Sequence, residues 1–181
     1  MSEIILDCGC GSKVTHKPLI LDLLRLKDKI VSVDLNVTEF NRKIIDVRCN
    51  VEHLPFKSKV FMVSYASHIL EHVYNPLTLL KELKRVTKET VIIKVPRLKG
   101  SEVNEKSNHL YSWSEHTLKN LLSLVFPEVN VQTTIQLPSI HLPILQRTTT
   151  LLINYLISKL TGKTEITAVC YCTENTDQNK P

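Results

Sequence analysis

The sequence is poor in glycine, with 4 in 181 residues, against a usual share near ~7%. It also lacks any apolar run close to the ~18 residues that a membrane-spanning helix needs. The N-terminus, Met1-Ser2-Glu3-Ile4, has no basic flank leading into a long apolar stretch, so no secretory signal is expected. Cysteine patterning is thin as well. The five cysteines stand as Cys8-x-Cys10, Cys49 and Cys170-x-Cys172, without the C-x-x-C spacing of zinc ribbons or thioredoxin-type sites. We read them as reduced, mostly buried strand residues of a cytoplasmic protein. Charge of one sign is not concentrated. The net charge is +5, and the first 95 residues hold 15 Lys and Arg against 11 Asp and Glu, in no dense run. Lys81, Lys84, Arg85 and Lys88 read as a solvated helix face, since a nucleic-acid binder usually shows a stronger basic stripe with aromatics in it. What these absences exclude is a secreted disulfide knot, a helical membrane protein, a repeat array and a disordered tail protein. A chain 43% hydrophobic and 23% charged suits one globular domain, and at this size about 70% of the unfolded surface is buried without disulfide staples.

Against that scarcity, two of the four glycines fall within Asp7-Cys8-Gly9-Cys10-Gly11. Glycine is kept where φ must be positive or where something approaches the backbone closely. Around this turn, strand and helix patterns alternate. Residues 3–8, 30–34, 43–47, 60–66 and 90–95 read as strands. Residues 17–27, 76–87 and 115–126 read as helices, with Asn75-Pro76 and Ser114 as their start signals for the latter two. Residues 128–136 and 164–172 alternate as two further strands, which pair antiparallel in one arrangement. Such alternation predicts a parallel α/β sheet. Pro138 and Pro143 precede an apolar helix of about residues 144–160, expected to pack on the sheet, to cover a substrate or to form a dimer contact. We therefore expect a single domain over 1–172, with 137–162 as a helical insertion between the last two strands and 173–181 as a flexible tail.

The turn's chemistry can be read further. In open α/β sheets, ligands bind beyond the carboxyl ends of the strands, which is where Gly9-x-Gly11 falls. A dinucleotide fingerprint needs a third glycine, and that position is Val14. Asp7 would repel a pyrophosphate but suits a ligand with an ammonium or sulfonium group. Asp34 ends the second strand, where an acid accepts hydrogen bonds from ribose hydroxyls. An adenosine-like ribose without phosphates and with a cationic tail satisfies all three conditions, and S-adenosylmethionine is such a ligand.

ILDCGCGSK, then VSVDLN, then the stretch from Asn50 through LPF (54–56) and LEH (70–72) to Pro96 resemble the class I S-adenosylmethionine-dependent methyltransferases. The branch is the small-molecule type with the LPF…LEH signature. Asn108-His109-Leu110-Tyr111-Ser112-Trp113, leading into a helix, also resembles this branch. The resemblance implies a Rossmann-like methyltransferase fold, α/β, with a mostly parallel seven-stranded sheet, the last strand antiparallel, and helices on both faces. It implies that Asp7, Gly9 and Gly11 line the methionine part of the cofactor. Asp34 would hold the ribose hydroxyls and Leu35 would lie against the adenine. Asn50 stands where the family has an acid that accepts the adenine amino hydrogen, which its amide oxygen can do without charge. Ser67 and His68 would face the sulfonium and the substrate. Three positions depart from the pattern: Lys13 replaces a common third glycine, Met62 an acid, and the chain starts almost at the first strand. Relatives often carry an N-terminal helix over the cofactor. We expect the site to be open, completed by a partner subunit, or covered by residues 97–113 and 138–160.

Methyl transfer from a sulfonium is an in-line displacement, so alignment and water exclusion carry most of it. A general base adds roughly 10²–10⁴ for a hydroxyl or protonated amine, and His68, His72 and His109 are the candidates. His68-x-x-Glu71-His72 with His109 also has metal-ligand chemistry. The placement resembles metal-assisted 2′-O-methyltransferases of small RNAs, though those carry an acid at His68 and LEH is common in relatives without metal. No metal ligand is assigned from sequence. Ala66-Ser67-His68-Ile69 replaces the Asn/Asp-Pro-Pro-aromatic motif of amino-group methylation on bases or glutamine. The leading expectation is a methyltransferase acting on a hydroxyl, amine or carbon of an unidentified acceptor, with nucleic acid not excluded as one. The alternative is a non-catalytic or partner-dependent subunit with the same fold, as a homodimer or with another chain. A nicotinamide oxidoreductase is opposed by Val14 and Asp7.

Overall fold

The computed structural model describes residues 4–11, 29–38, 42–97, 108–135 and 164–173. Seven strands form one sheet: β1 (Ile4–Cys8), β2 (Lys29–Asp34), β3 (Val47–Arg48), β4 (Phe61–Ser67), β5 (Thr87–Pro96), β6 (Glu128–Ile135) and β7 (Thr164–Tyr171). Their order is β3-β2-β1-β4-β5-β7-β6. β3, β2, β1, β4 and β5 run parallel, and β7 is antiparallel to both β5 and β6. This is the expected topology.

β1 lies at the sheet's interior, paired on one side with β2 and on the other with β4. Its run of apolar residues follows from that position, because a parallel strand is buried on both faces. Leu6 and Cys8 join one core cluster with Ala66, Val91, Ile93, Val95, Ile166, Ala168 and Cys170. Ile5 alternates to a second cluster with Tyr65, Ile30 and Ile92.

Helix α1 (Pro76–Val86) begins as its sequence signals require. The Asn75 side chain accepts from the Thr78 N–H, and Pro76 occupies the first turn, where its missing N–H costs nothing. Leu79, Leu80, Leu83 and Val86 are all fully buried, each contributing about 1.5–3 kcal/mol. The helix stops at Thr87, which is also the first residue of β5. Thr87 Oγ1 donates to the Leu83 carbonyl and lies 2.6 Å from Ser64 Oγ on β4. One hydroxyl thus closes the helix and ties the next strand to its neighbour. The expected strand at 90–95 therefore starts three residues earlier: Lys88 and Glu89 look like a loop but lie within the strand, at an irregularity in its pairing with β4 between Thr87 and Thr90.

Helix α2 (Glu115–Ser123) opens with a capping box between Ser114 and Thr117 and buries Leu118 and Leu122. It ends three residues before the expected 126. Val125 and Phe126 N–H groups both turn back to the Leu122 carbonyl, which lets Phe126 enter the core. β3 is also shifted, from the expected 43–47 to Val47–Arg48. Residues 42–44 form a turn. Asp46 then occupies Ser32 on β2 with both its backbone N–H and its carboxylate, so its side chain replaces a strand carbonyl. The described helices α1 and α2 share the larger core cluster. The helices expected at 17–27 and 144–160, the insertion 137–162 and all but Thr173 of the tail lie outside the described residues.

Candidate active site

The carboxyl ends of β1, β2 and β4 meet at one edge of the sheet. There the chain after β1 makes its glycine turn, with φ of 74° at Gly9 and 59° at Gly11. Both values lie in the left-handed region that L side chains avoid. The two glycines differ in surroundings. A Cβ on Gly9 would stand 2.7–2.9 Å from three atoms of Ile69, whereas one on Gly11 would meet nothing within 4 Å among the described residues. Gly9 is needed for packing against the loop after β4, a constraint that Gly11 does not share there.

The turn is bolted to the end of β2. Gly9 and Cys10 N–H groups both donate to the Val33 carbonyl, at 2.9 and 3.1 Å. The next residue, Asp34, accepts from the Gly11 N–H at 2.8 Å through Oδ2 and from the Asn36 N–H at 2.9 Å through Oδ1. A carboxylate offers about four lone-pair sites, so two remain for a ligand after the position is set.

A cleft of about 160 Å³ lies beside this turn, lined by Gly9, Asp34, Leu35, Asn36, Asn50, Val51, Glu52, Ile69, His72, Val73 and Tyr74. Leu35 is 50% exposed, so its side chain is open to a ligand in the cleft. Of the residues expected to hold a cofactor, Gly9, Asp34, Leu35 and Asn50 line the cleft. Gly11 sits at its edge through its bond to Asp34. Asp7 is buried one residue before the strand end, and Ser67 is half-buried at the end of β4; neither lines the cleft. Asn50 Oδ1 accepts from the Glu52 N–H at 3.0 Å. That holds the amide in place and leaves its second lone pair.

Glu52 was not expected here. It is buried, and its Oε1 accepts from the Asn75 N–H at 2.6 Å. It thereby joins the cleft wall to the residue that caps α1. Nothing in its spacing marks it, since an acid between Val51 and His53 reads as an ordinary loop residue.

Two of the three expected histidines, His68 and His72, lie in the loop after β4 at the same edge, and His109 lies on the segment docked against it. His68 follows β4 with φ of 53°, a strained conformation for a non-glycine residue. Its Nδ1 is 3.4 Å from Glu71 Oε1 and its Nε2 is 3.5 Å from Glu165 Oε2, and Lys94 Nζ lies 2.7 Å from Glu165 Oε1. Burial alone would lower the His68 pKa, but the two carboxylates outweigh it and raise the pKa to about 9. Glu165 moves the other way: His68 and Lys94 overcome burial and lower it. Because the folded pKa of His68 is raised, its ion pairs are present at neutral pH and are lost as pH rises through about 9. With both ring nitrogens turned to carboxylates, His68 is held protonated and has no lone pair for an acceptor's proton.

His72 and His109 are differently placed. Their rings meet edge to face, with centroids 4.7 Å apart. His72 is exposed and lines the cleft. His109 is half-buried, and burial lowers its pKa despite Glu71 nearby. The 108–113 segment that carries it is docked on the LEH loop. The Leu110 N–H donates to the Glu71 carbonyl at 2.8 Å, and Tyr111 Oη donates to the Tyr74 carbonyl at 2.8 Å. Trp113 bridges to Arg97 and stacks on Tyr111. Glu71, His72 and His109 each place one ligating atom within 4.8 Å of the others.

An open, mostly parallel sheet with an antiparallel β7, a glycine turn on β1 and an acid ending β2 define a class of protein, and the comparisons agree with it. Residues 6–93 match the family model described as methyltransferase domain. Among curated proteins, none matches the chain. Solved structures with the same fold include a complex between the Haloferax volcanii Trm112 methyltransferase activator and a methyltransferase, at 16% identity and a TM-score of 0.64, covering 96% of this chain and 84% of that one. Burkholderia thailandensis 1,6-didemethyltoxoflavin-N1-methyltransferase, solved with 1,6-didemethyltoxoflavin and S-adenosylhomocysteine, is 17% identical with a TM-score of 0.64, covering 94% and 71%. A SAM-dependent methyltransferase from Aquifex aeolicus is 14% identical with a TM-score of 0.60, covering 95% and 83%. Residues 6–93 are similar to the methyltransferase-domain family, and the chain has the Rossmann-like fold that these methyltransferase structures share. Among the described residues, no helix is long and apolar enough to cross a membrane.

Proposed function

We propose that the cleft beside Gly9 holds S-adenosylmethionine and that the chain passes its methyl group to a hydroxyl, amine or carbon of an acceptor entering past His72 and His109. The observation that carries this is the Asp34 carboxylate. Two backbone N–H groups fix it at the tip of β2, beside a turn whose Gly11 leaves open space among the described residues. In this reading Asp34 receives the two ribose hydroxyls. Leu35 lies against the adenine, and the free lone pair of Asn50 takes the adenine amino hydrogen. Gly9, Gly11 and Asp7 face the methionine end, where the Asp7 charge favours the ammonium and sulfonium. Ser67 stands nearest the sulfonium at the end of β4.

When bound, S-adenosylmethionine would supply an electrophilic methyl group whose sulfonium leaves as a neutral thioether, and the cleft residues would hold the acceptor atom in line with it. Holding the two reactants in line supplies an effective molarity of about 10⁵–10⁸ M. His68 is engaged with Glu71 and Glu165, so we assign it to positioning the loop after β4. His72 and His109 are left as the groups that meet the acceptor's departing proton.

Calorimetric titration tests the cofactor. S-adenosylmethionine and S-adenosylhomocysteine should bind in the micromolar range and NAD should not. Folded protein that binds neither sulfur ligand would overturn the reading.

A partner subunit is the second reading of how the activity is expressed, favoured by the likeness to the structure solved with the Trm112 activator. It predicts weak turnover by the chain alone and a gain when an activator is added. A homodimer would serve the same end and is separated by sedimentation. The cytoplasm suits the five free cysteines.

A further inference from the structure

We infer that Glu71, His72 and His109 form a binding site for one divalent first-row transition ion at the rim of the cofactor cleft. Three observations converge. Glu71 is fully buried, yet neither carboxylate oxygen has a hydrogen-bond partner among the described residues. His68 approaches Oε1 only at 3.4 Å, out of hydrogen-bond alignment. The His68 imidazolium offsets part of that charge without a hydrogen bond, and a buried carboxylate whose oxygens lack donors stays costly unless a further cation meets them. His109 Nδ1 is likewise buried without a partner. Third, His72 Nδ1 lies 3.3 Å from the Asn108 carbonyl. A carbonyl only accepts, so Nδ1 carries the hydrogen and Nε2 keeps its lone pair. A ring N–H given to a backbone carbonyl is how metal-binding histidines are oriented.

The donor set is two imidazole nitrogens and one carboxylate oxygen, which suits zinc, cobalt or iron in the divalent state better than magnesium or calcium. The ligating atoms lie within 4.8 Å of one another. Bonds of ~2.0–2.2 Å would draw them to about 3.4 Å apart in a tetrahedral site. His72 is exposed, so its side chain can make that adjustment and the ion has a path in. Three protein ligands leave at least one position for an outside atom, as in catalytic rather than structural sites. His72 also lines the cleft. The ion would thus hold an oxygen of the acceptor beside the cofactor and lower the pKa of an acceptor hydroxyl. That last role rests on the methyltransferase reading and, with the ion bound, replaces proton pickup by His72 and His109, whose lone pairs the ion takes; ion binding itself does not rest on that reading.

The test is a Co²⁺ titration of chelator-stripped full-length protein without cofactor, followed by visible absorption and by the fluorescence of Trp113, the one tryptophan of the chain. We expect one Co²⁺ per chain, with the spectrum of nitrogen and oxygen ligation and without the intense near-ultraviolet band of thiolate ligation. His72→Ala and His109→Ala should each weaken it at least tenfold, and His116→Ala should leave it unchanged. His72 is exposed, so its variant isolates the ligand from the fold, which circular dichroism checks. No stoichiometric binding, a thiolate spectrum, or binding that survives both variants would overturn the site. A parallel titration with S-adenosylmethionine separates the two readings. Cofactor bound without Co²⁺ sinks only the ion site, and Co²⁺ bound without cofactor sinks only the cofactor reading.

Discussion

The turn after β1 and the loop after β4 share one edge of the sheet but are finished in opposite ways. In the turn, the Val33 carbonyl takes two N–H groups and the Asp34 carboxylate takes two more. Its positive φ values fall on glycines, where they cost little. The loop has positive φ at His68 and, on the segment docked against it, at Asn108. It also buries Glu71 oxygens, His109 Nδ1 and the Trp113 indole nitrogen without hydrogen bonds among the described residues. Each such group costs about 1–3 kcal/mol. The turn is complete before any ligand arrives, so a ligand there meets preset groups. The loop has charge and lone pairs left over, which the fold alone does not need. Where local rules are broken without gain to the fold, a ligand is the expected compensation.

The sharpest way to break this contrast is to compare the two glycines. Gly9→Ala must place a methyl group within 3 Å of Ile69 and hold φ at 74°. We expect a loss of about 3 kcal/mol or more in urea denaturation, from overpacking plus backbone strain. Gly11→Ala meets no atom of the described residues, so we expect the strain alone, about 1 kcal/mol. Equal losses would mean that Gly9 is not packed as described. Asp34→Ala comes next. Hydrogen bonds to a charged group are worth roughly 1.5–3 kcal/mol. Losing those to a ribose should weaken S-adenosylmethionine about 100-fold by calorimetry, while Glu165→Gln leaves it within a few-fold.

On the loop side, His68→Asn removes the imidazolium but keeps a residue tolerant of left-handed backbone. Glu71 and Glu165 then lose a shared cation. His68 is partly exposed, so the expected loss is about 1–2 kcal/mol in urea. No change at neutral pH would show that the two carboxylates are compensated elsewhere.

Much of this was legible in advance, for identifiable reasons. β1 and β4 are buried on both faces, so their apolar runs stand out. The Asn75-Pro76 and Ser114 starts work locally, and both helices begin where those signals lie. The glycine turn was visible because the rest of the chain avoids glycine. What could not be read is long-range. Glu71 and His109 are separated by 37 intervening residues, and the Leu110-to-Glu71, Tyr111-to-Tyr74 and His72-to-Asn108 contacts bring their segments together. Thr87 serves a helix and a strand at once, which no period reveals. Asp46 displaced β3 by using its side chain as a backbone group. Glu52 became a cleft residue because Asn75, 23 positions on, needed an acceptor. Asp7 and Ser67 sit at the right strand ends yet outside the cleft lining, since strand position fixes height along the sheet but not the face.

The smallest expected effect is chemical and concerns the cysteines, which sample both the sheet and its ligand edge. Burial pushes the Cys170 thiol up to about 12, and burial raises Cys8 and Cys172 as well. Their thiolate fractions at pH 8 are correspondingly small, and the thiolate is the reactive form. Cys49 is the half-buried member of the five. Burial and then the Asp34 charge raise its pKa too, but a reagent can reach it. Its N–H donates to the Asp34 carbonyl at 3.1 Å, and Asn50 beside it lines the cleft. With a chromogenic disulfide at pH 8, Cys49 should react ahead of Cys170, and Cys170 only at the rate of unfolding. Saturating S-adenosylhomocysteine should slow Cys49 several-fold by covering the cleft, and leave Cys170 limited by unfolding. Fast native labelling of Cys170 would contradict the burial of β7 between β5 and β6. Labelling of Cys49 indifferent to the ligand would place the adenosine away from Asp34 and Asn50.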